Sequence, residues 1–321
     1  MAERSLSVDL RAPLDAAPAT LGFALACPAC RAALEVEGDA AMCAGCGAAY
    51  RRTGGIWRLL LPERAAYFAR FVAEYEAVRR AEGRGAEGPD YYRALPFADL
   101  SGRFREDWRI RARSFEALLR YVVAPLERGG RLRVLDLGAG CGWLAYRLAQ
   151  RGHAAAAADL LTGERDGLGA FVHYDAPFLP VQAEFERLPL ASGQLGLVVV
   201  NAALHYATDY AVVLREALRL LRPGGVLAVM DTPVYHDASS GAQMVRERGD
   251  AFERRYGFRG EALPCENYLS YRRLEELAAE LGVRWRIFRP RHGLRWALRP
   301  LRARLRGRRE PASFPLLVAY R

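Results

Sequence analysis

Four of the chain's six cysteines fall within twenty residues, as Cys27-Pro28-Ala29-Cys30 and Cys43-Ala44-Gly45-Cys46. A CxxC turn aims two thiolates at one point, and the twelve residues between the pairs suffice for a hairpin that brings the second turn back. Four soft sulfur donors in this arrangement suit tetrahedral Zn²⁺ ahead of disulfides or another metal, and they leave no open coordination position. The expected site is therefore structural Zn²⁺ held by Cys27, Cys30, Cys43 and Cys46. Pro28 and Gly47 favour the tight turns. The segment offers only Leu25, Leu34, Met42, Ile56 and Trp57 for a core of its own. Metal would then supply much of its folding energy, on the order of 10 kcal/mol. Cys141 reads as a small filler, and Cys265 has no sequence neighbour that gives it a role.

A second pattern lies in Arg133-Val134-Leu135-Asp136-Leu137-Gly138-Ala139-Gly140-Cys141-Gly142-Trp143. An apolar strand runs into a glycine loop and then a helix, so backbone can pass close to a ligand. A dinucleotide fingerprint needs glycine or alanine where Trp143 stands. Asp136 sits awkwardly beside a phosphate but suits a cationic or hydroxyl-bearing ligand. Asp159 closes the next strand, 23 residues on, where a carboxylate can accept ribose hydroxyls. These residues point to a nucleoside without a phosphate chain.

These elements need a scaffold. Short apolar runs at Leu132–Leu137, Ala154–Ala158, Leu195–Val200 and Val226–Met230 alternate with helix-length segments at Leu144–Arg151 and Tyr210–Leu221. Such alternation predicts an α/β domain on a mostly parallel sheet. The spacing also predicts helices over Glu63–Arg80, Trp108–Glu127 and Glu275–Leu281, and strands over Val283–Phe288 and Phe314–Tyr320. The expected organisation is a flexible N-terminus (1–20), a zinc ribbon (21–58), a helical linker or substrate cover (59–128) and the α/β domain (129–321).

On the segments Val134–Ala149, Ala158-Asp159, Gln182–Tyr206 and Leu221–Asp231, the chain resembles the class I S-adenosylmethionine-dependent methyltransferases of the type 11 kind. The resemblance covers about residues 105–321. It implies a Rossmann-like fold and a cofactor, S-adenosylmethionine, held by Asp136, Gly138, Ala139, Gly140, Gly142, Trp143, Asp159 and Asn201. It also assigns Glu184 and Phe185 to adenine and places Asn201–Tyr206 near the transferred methyl group. In this frame Asn201 could orient an acceptor and His205 could serve as a base. Tyr206 shares their strand end, and Asp231, Tyr235 and His236 offer polar groups after the next strand. Leu161–Tyr174, rich in glycine, reads as a loop near the substrate. The N-terminal arrangement is similar to zinc ribbons of ribosomal RNA guanine methyltransferases and of methyltransferase activator proteins, although its second pair lacks the histidine often used in the ribosomal enzymes.

The acceptor is less defined. The net charge of +10 is concentrated: Arg284–Arg309 holds eleven arginines and no acid, and the rest of the chain is nearly neutral. Three readings compete for this segment: a helix packed by its apolar side, a phosphate-contacting surface for RNA, and a surface for anionic membrane or an acidic small substrate. Residues 1–58 carry six arginines and six acids, so the ribbon is not a basic RNA-binding module. The expectation is a methyltransferase acting on a small molecule, ahead of one acting on RNA or a non-catalytic scaffold. Oligomeric state is left open. No apolar run is long enough to cross a bilayer and no signal peptide is visible, so a cytoplasmic location is expected.

Overall fold

A computed structural model describes residues 17–321, so most of the expected flexible N-terminus lies outside the described residues. Thirteen strands are formed among them. Strands β1 (Leu34–Glu37), β2 (Ala40–Cys43), β3 (Ala49–Thr53) and β4 (Ile56–Arg58) make an antiparallel meander. The central strands are β5 (Arg133–Leu137), β6 (Ala154–Asp159), β7 (Leu179–Gln182), β8 (Leu195–Asn201) and β9 (Leu221–Met230). The short β10 (Val234–Tyr235) and β11 (Leu269–Ser270) pair with each other, while β12 (Arg286–Phe288) and β13 (Leu316–Tyr320) complete the main sheet. Its order is β1-β2-β3-β4-β7-β6-β5-β8-β9-β13-β12. Strands β4 to β9 run parallel, and β13 is antiparallel to β9. The order reverses at β5, so the carboxyl ends of β5 and β8 flank a crevice, the usual ligand position in open α/β sheets.

Residue alternation explains why the sheet is covered on both sides. Leu135, Leu137, Val198, Val200, Leu227 and Val229 bury into one core, and Val134, Leu197, Val199, Val226 and Ala228 into the other. Helices α6 (Tyr210–Leu220) and α8 (Tyr271–Leu281) pack together beside the first core. Ribbon residues Leu21, Phe23, Leu25, Tyr50 and Trp57 join that same core rather than forming one of their own. Of the five residues expected to fill the ribbon, Met42 is exposed. Helices α3 (Arg105–Leu118), α4 (Ala124–Glu127) and α5 (Trp143–Gln150) contribute to the second core.

The expected helix over Trp108–Glu127 starts three residues earlier and runs from α3 to α4 through a π-turn at Leu119–Val123. Pro125 cannot donate to the helical ladder, and the wider turn accommodates that loss. Helix α1 (Pro62–Glu82) starts on a proline and stops at Gly83, whose φ of 71° lets its N–H reach back to Arg79 and Arg80 carbonyls. The short α2 (Pro89–Ala94) follows. Helix α7 (Ala238–Tyr256) is not signalled by apolar periodicity, because it buries Ser240, Gly241 and Gly249. A side chain at Gly241 would run into the ring of Tyr268.

In the arginine-rich segment the expected single helix is two short ones, α9 (Leu294–Ala297) and α10 (Arg299–Leu305), with Pro300 opening the second. Their leucines do not pack inward: Leu294 is 84% and Leu305 78% exposed. The reading as a helix packed by its apolar side is thereby corrected. No helix among the described residues is long and apolar enough to cross a membrane.

Candidate active site

The meander brings the two cysteine pairs together, and their four Sγ atoms all lie within 4.8 Å of one another. Cys27 and Cys46 are 3.7 Å apart and Cys30 and Cys43 3.3 Å. A tetrahedron with metal–sulfur bonds of about 2.3 Å has edges of about 3.8 Å, so the donor set matches a four-coordinate soft cation. Gly45 and Cys46 donate backbone N–H groups to Cys43 Sγ at 3.3 and 3.4 Å, and Tyr50 Oη lies 3.3 Å from Cys27 Sγ. The ribbon is tied to the large sheet by more than β4. Ala26 N donates to Pro189 O, and Arg31 pairs with Glu216 at the base of α6.

The glycine loop leaves β5 with three left-handed residues, Gly138, Gly140 and Gly142, each with a different neighbour. A methyl group built on Gly138 would overlap Ala203 Cβ, and one on Gly142 would lie 2.7 Å from the Phe178 ring. At Gly140 it would meet only Asp166 O, at 4.0 Å. Gly138 and Gly142 therefore serve close packing, while Gly140 faces open space. The Asp159 carboxylate accepts from Gly140 N and Leu161 N, both at 2.8 Å, and fixes the loop to the end of β6. Burial raises its pKa against these two hydrogen bonds.

Above the loop lies a cleft of about 720 Å³ lined by Gly138, Gly140, Asp159, Phe185, Glu186 and Tyr206, among others. Its roof is an aromatic row on α1: Phe68, Phe71 and Tyr75. Their spacing of three and four residues puts them on one helix face, a signal the sequence carries. Phe71 and Tyr75 meet the Tyr206 ring edge-on at 5.9 and 5.7 Å. Leu160 and Leu161, at the start of the glycine-rich loop expected near a ligand, also line the cleft, and a 3₁₀ turn forms at Leu168–His173.

Several sequence-nominated residues stand behind this cleft rather than in its wall. Asp136 is buried, accepts from Ala145 N in the first turn of α5 at 3.2 Å, and is pushed up to about 8 by desolvation. Trp143 is buried edge-on against Trp108 and Phe115. Ala139 is buried in the core beside it. Glu184 is 2% exposed and is held bidentately by Arg64 of α1, with two contacts at 2.8 Å. It does not present its carboxylate to the cleft. Phe185 does line it, and so does Glu186, which accepts from Thr208 Oγ1 at 2.9 Å.

A second, wider cleft of about 1260 Å³ opens on the other side of Tyr206. Tyr75, Ala202 and Tyr206 belong to both clefts. His205, Asp231 and Tyr235 line the second. Asn201 is buried at the end of β8, its Oδ1 without a partner among the described residues. Ala202 and Asp231 both hold positive φ, 52° and 54°, at the carboxyl ends of β8 and β9. Such strain costs about 1–3 kcal/mol and clusters where backbone is aimed at a ligand. His236 points elsewhere, onto Glu310 at 2.7 Å.

The two titratable candidates of this cleft differ. Burial, with Arg248 and Arg111 adding to it, pushes the His205 imidazole down to about 3. That is the reverse of the tuning a neutral-pH base needs. Burial raises the Asp231 carboxyl, against a 2.5 Å hydrogen bond from Ser114 Oγ. Five arginines, Arg79, Arg111, Arg248, Arg299 and Arg309, also reach the cleft. Of these only Arg299 and Arg309 belong to the segment singled out in the sequence.

Residues 135–229 match the sequence model of a family described as a methyltransferase domain. The malonyl-[acyl-carrier protein] O-methyltransferase of Enterobacter lignolyticus is 33% identical over 138 residues, 42% of this chain and 51% of that protein. The demethylmenaquinone methyltransferase of Corynebacterium urealyticum is 35% identical over 129 residues, 40% and 50% of the two chains. The chain thus spans about half the length of these relatives. The S-adenosylmethionine dependent methyltransferase from Mesorhizobium loti superposes with a TM-score of 0.43 at 19% identity, over 61% of this chain and 96% of that one. With the glycine loop, the Asp159 strand end and the sheet order already in view, residues 135–229 match a methyltransferase domain, and the chain is similar to methyltransferases over about half of their length.

Proposed function

We propose that this protein transfers a methyl group from S-adenosylmethionine to a small-molecule acceptor, with the cofactor in the glycine-loop cleft and the acceptor in the cleft beyond Tyr206. The observation that carries the reading is the shared wall: Tyr75, Ala202 and Tyr206 line both spaces, so the two adjoin at these residues. When bound, the cofactor supplies a methyl on a sulfonium, so an acceptor lone pair makes the new bond to carbon while the carbon–sulfur electrons remain on sulfur.

The residues fit such a ligand. Each Asp159 oxygen spends one lone pair on backbone N–H and keeps capacity for a ribose hydroxyl. The space at Gly140 admits a ligand close to backbone. Phe185 offers a face to the adenine, and Glu186 with Thr208 replaces Glu184 as the polar group beside it. Gly138, Ala139, Gly142, Asp136 and Trp143 shape and support the loop. The chain's work in catalysis is alignment and exclusion of water, for which the aromatic row of α1 is suited. Tyr206 orients the acceptor from the wall of both clefts, while Asn201, buried at the end of β8, stands behind that wall. Where the acceptor must lose a proton, Asp231 is better placed to take it than His205, since burial raises the one and depresses the other. A His205→Ala variant then keeps turnover within about threefold, whereas loss of a true general base costs about 100-fold or more.

The same reading assigns Zn²⁺ to Cys27, Cys30, Cys43 and Cys46 as a structural ion, and divides the chain into a ribbon (21–58), a helical cover (59–128) and the methyltransferase domain (129–321). Calorimetry with S-adenosylmethionine and its demethylated product, followed by transfer of a labelled methyl group to extract fractions, tests the activity. Absence of both heat and thermal protection at millimolar ligand would refute it.

A further inference from the structure

The second cleft is built from more positive charge than its neighbours cancel. Arg79 is paired with Asp166 and Arg309 with Glu247. Asp107 is engaged by Arg84 at 3.0 Å. Among the described residues, Arg111, Arg248 and Arg299 make no ion pair with a carboxylate. Arg248 donates to the neutral Asn267 side chain. Arg111 lies over the Trp108 ring at 4.6 Å and Arg299 over the Trp296 ring at 3.8 Å. Stacking on an aromatic face occupies the plane of a guanidinium but leaves its N–H edge free to donate, as in sites that bind carboxylate or phosphate. Among the described residues, the one carboxyl left in the wall to oppose these three cations is Asp231, itself buried and held by Ser114. His205, depressed first by burial and then by Arg248 and Arg111, adds no negative charge to the wall.

Apolar side chains share the wall with these cations and with tyrosines: Ile110, Met244, Trp296 and Phe314, the last two rings 5.7 Å apart. The cations come from α3, α7 and α10, three elements far apart in sequence, so their convergence is a property of the fold and not of one basic run. Unneutralised charges focused in a concave, partly apolar space select an anion with an apolar body.

We propose that the methyl acceptor is a small organic anion, a carboxylate or phosphate on an apolar or aromatic body, held by Arg111, Arg248 and Arg299 beside Tyr206. This rests on the placement of the acceptor cleft given above, but its test does not need turnover. Trp296 in the wall serves as a fluorescent reporter. The full-length zinc-loaded protein is titrated with benzoate, phenyl phosphate and neutral benzamide, with and without saturating S-adenosylhomocysteine. The expected result is saturable binding of one or both anions at millimolar concentration or below, at least tenfold tighter than benzamide. Which anion wins distinguishes carboxylate from phosphate.

The double variant Arg111→Gln with Arg299→Gln should lose about tenfold or more of anion affinity while S-adenosylhomocysteine binding stays within about twofold, as loss of charge-assisted hydrogen bonds requires. The matching Arg→Lys double variant, which retains the charge, should recover part of it and controls for misfolding. Equal affinity for benzamide, no anion binding at millimolar concentration, or unchanged affinity in the Gln variant would each overturn the proposal. So would total tRNA binding far more tightly than either anion with a steep salt dependence, which would assign the cleft to RNA phosphates. If S-adenosylhomocysteine fails to bind while the anions still do, the cofactor assignment falls and the anion site stands.

Discussion

Gly138 and Gly140 are two residues apart in one loop, yet the structure demands opposite consequences from the same change. Gly140 has a φ of 54°, and an added methyl would meet nothing nearer than Asp166 O at 4.0 Å. The cost to the fold is only that of an L-residue in the left-handed region, about 1–2 kcal/mol. In a chain of this size that lowers the melting temperature by about 2–4 °C. The methyl would instead occupy space the cofactor needs, so affinity for S-adenosylhomocysteine should fall tenfold or more. At Gly138, φ is 74° and the methyl overlaps Ala203 and sits 3.3 Å from the Phe185 ring. Overpacking of about 1–3 kcal/mol then adds to the left-handed cost. Gly138→Ala should therefore lose about 2–5 kcal/mol. Differential scanning calorimetry of the unliganded proteins, paired with isothermal titration of S-adenosylhomocysteine, separates the two. A Gly140→Ala protein that binds the ligand as the wild type does would show that the loop does not cradle it.

Other outcomes follow from the same geometry. Stripping the metal with a strong chelator should free β4, and with it the start of α1 and its aromatic row, lowering S-adenosylhomocysteine affinity about tenfold; unchanged affinity in verified metal-free protein would uncouple ribbon from cleft. Arg64→Leu leaves Glu184 buried without its partner and should cost about 2–3 kcal/mol in urea unfolding, since Arg64 itself is only partly buried. Adding Glu184→Leu should restore much of that, and a cycle with no coupling energy would refute the pairing. Asp136, raised to about 8 by burial, keeps in the folded state a proton that the unfolded chain releases above about pH 4. Wild-type stability should therefore drop as pH rises from about 4 to about 8, and Asp136→Asn should gain on it across that window. A gap independent of pH would contradict the buried, raised carboxyl.

The central strands β5, β6, β8 and β9 were legible because they are buried on both faces, whereas β7 and the strands of the meander were not. Ala154–Ala158 and Leu195–Val200 are continuous apolar runs, and the glycine loop between β5 and α5 has a spacing that few other structures require. The cysteine pairs were equally plain, since their spacing encodes the turn. What stayed hidden depends on contacts between distant segments. Asp136 and Glu184 look like ligand groups in one dimension, but Ala145 N and Arg64 claim them in three. His205 has a suitable residue type, yet burial removes the basicity that made it attractive. Helix α7 lacks apolar periodicity because glycines make its closest contacts. The cluster of Arg111, Arg248 and Arg299 is not visible in the sequence for a similar reason: it is assembled from three helices, and the conspicuous arginine run supplies only one of its members.

Pairing of β4 with β7 also moves the boundary of the sheet. Without the meander, Val181 and Gln182 would present unpaired backbone along an uncharged strand, protected only by Pro180 beside them. With it, the terminal strand is β1, four residues long, with Glu35 and Glu37 exposed. Short length and like charge are what discourage end-to-end stacking. Removing the first 58 residues is thus expected to yield a protein that self-associates.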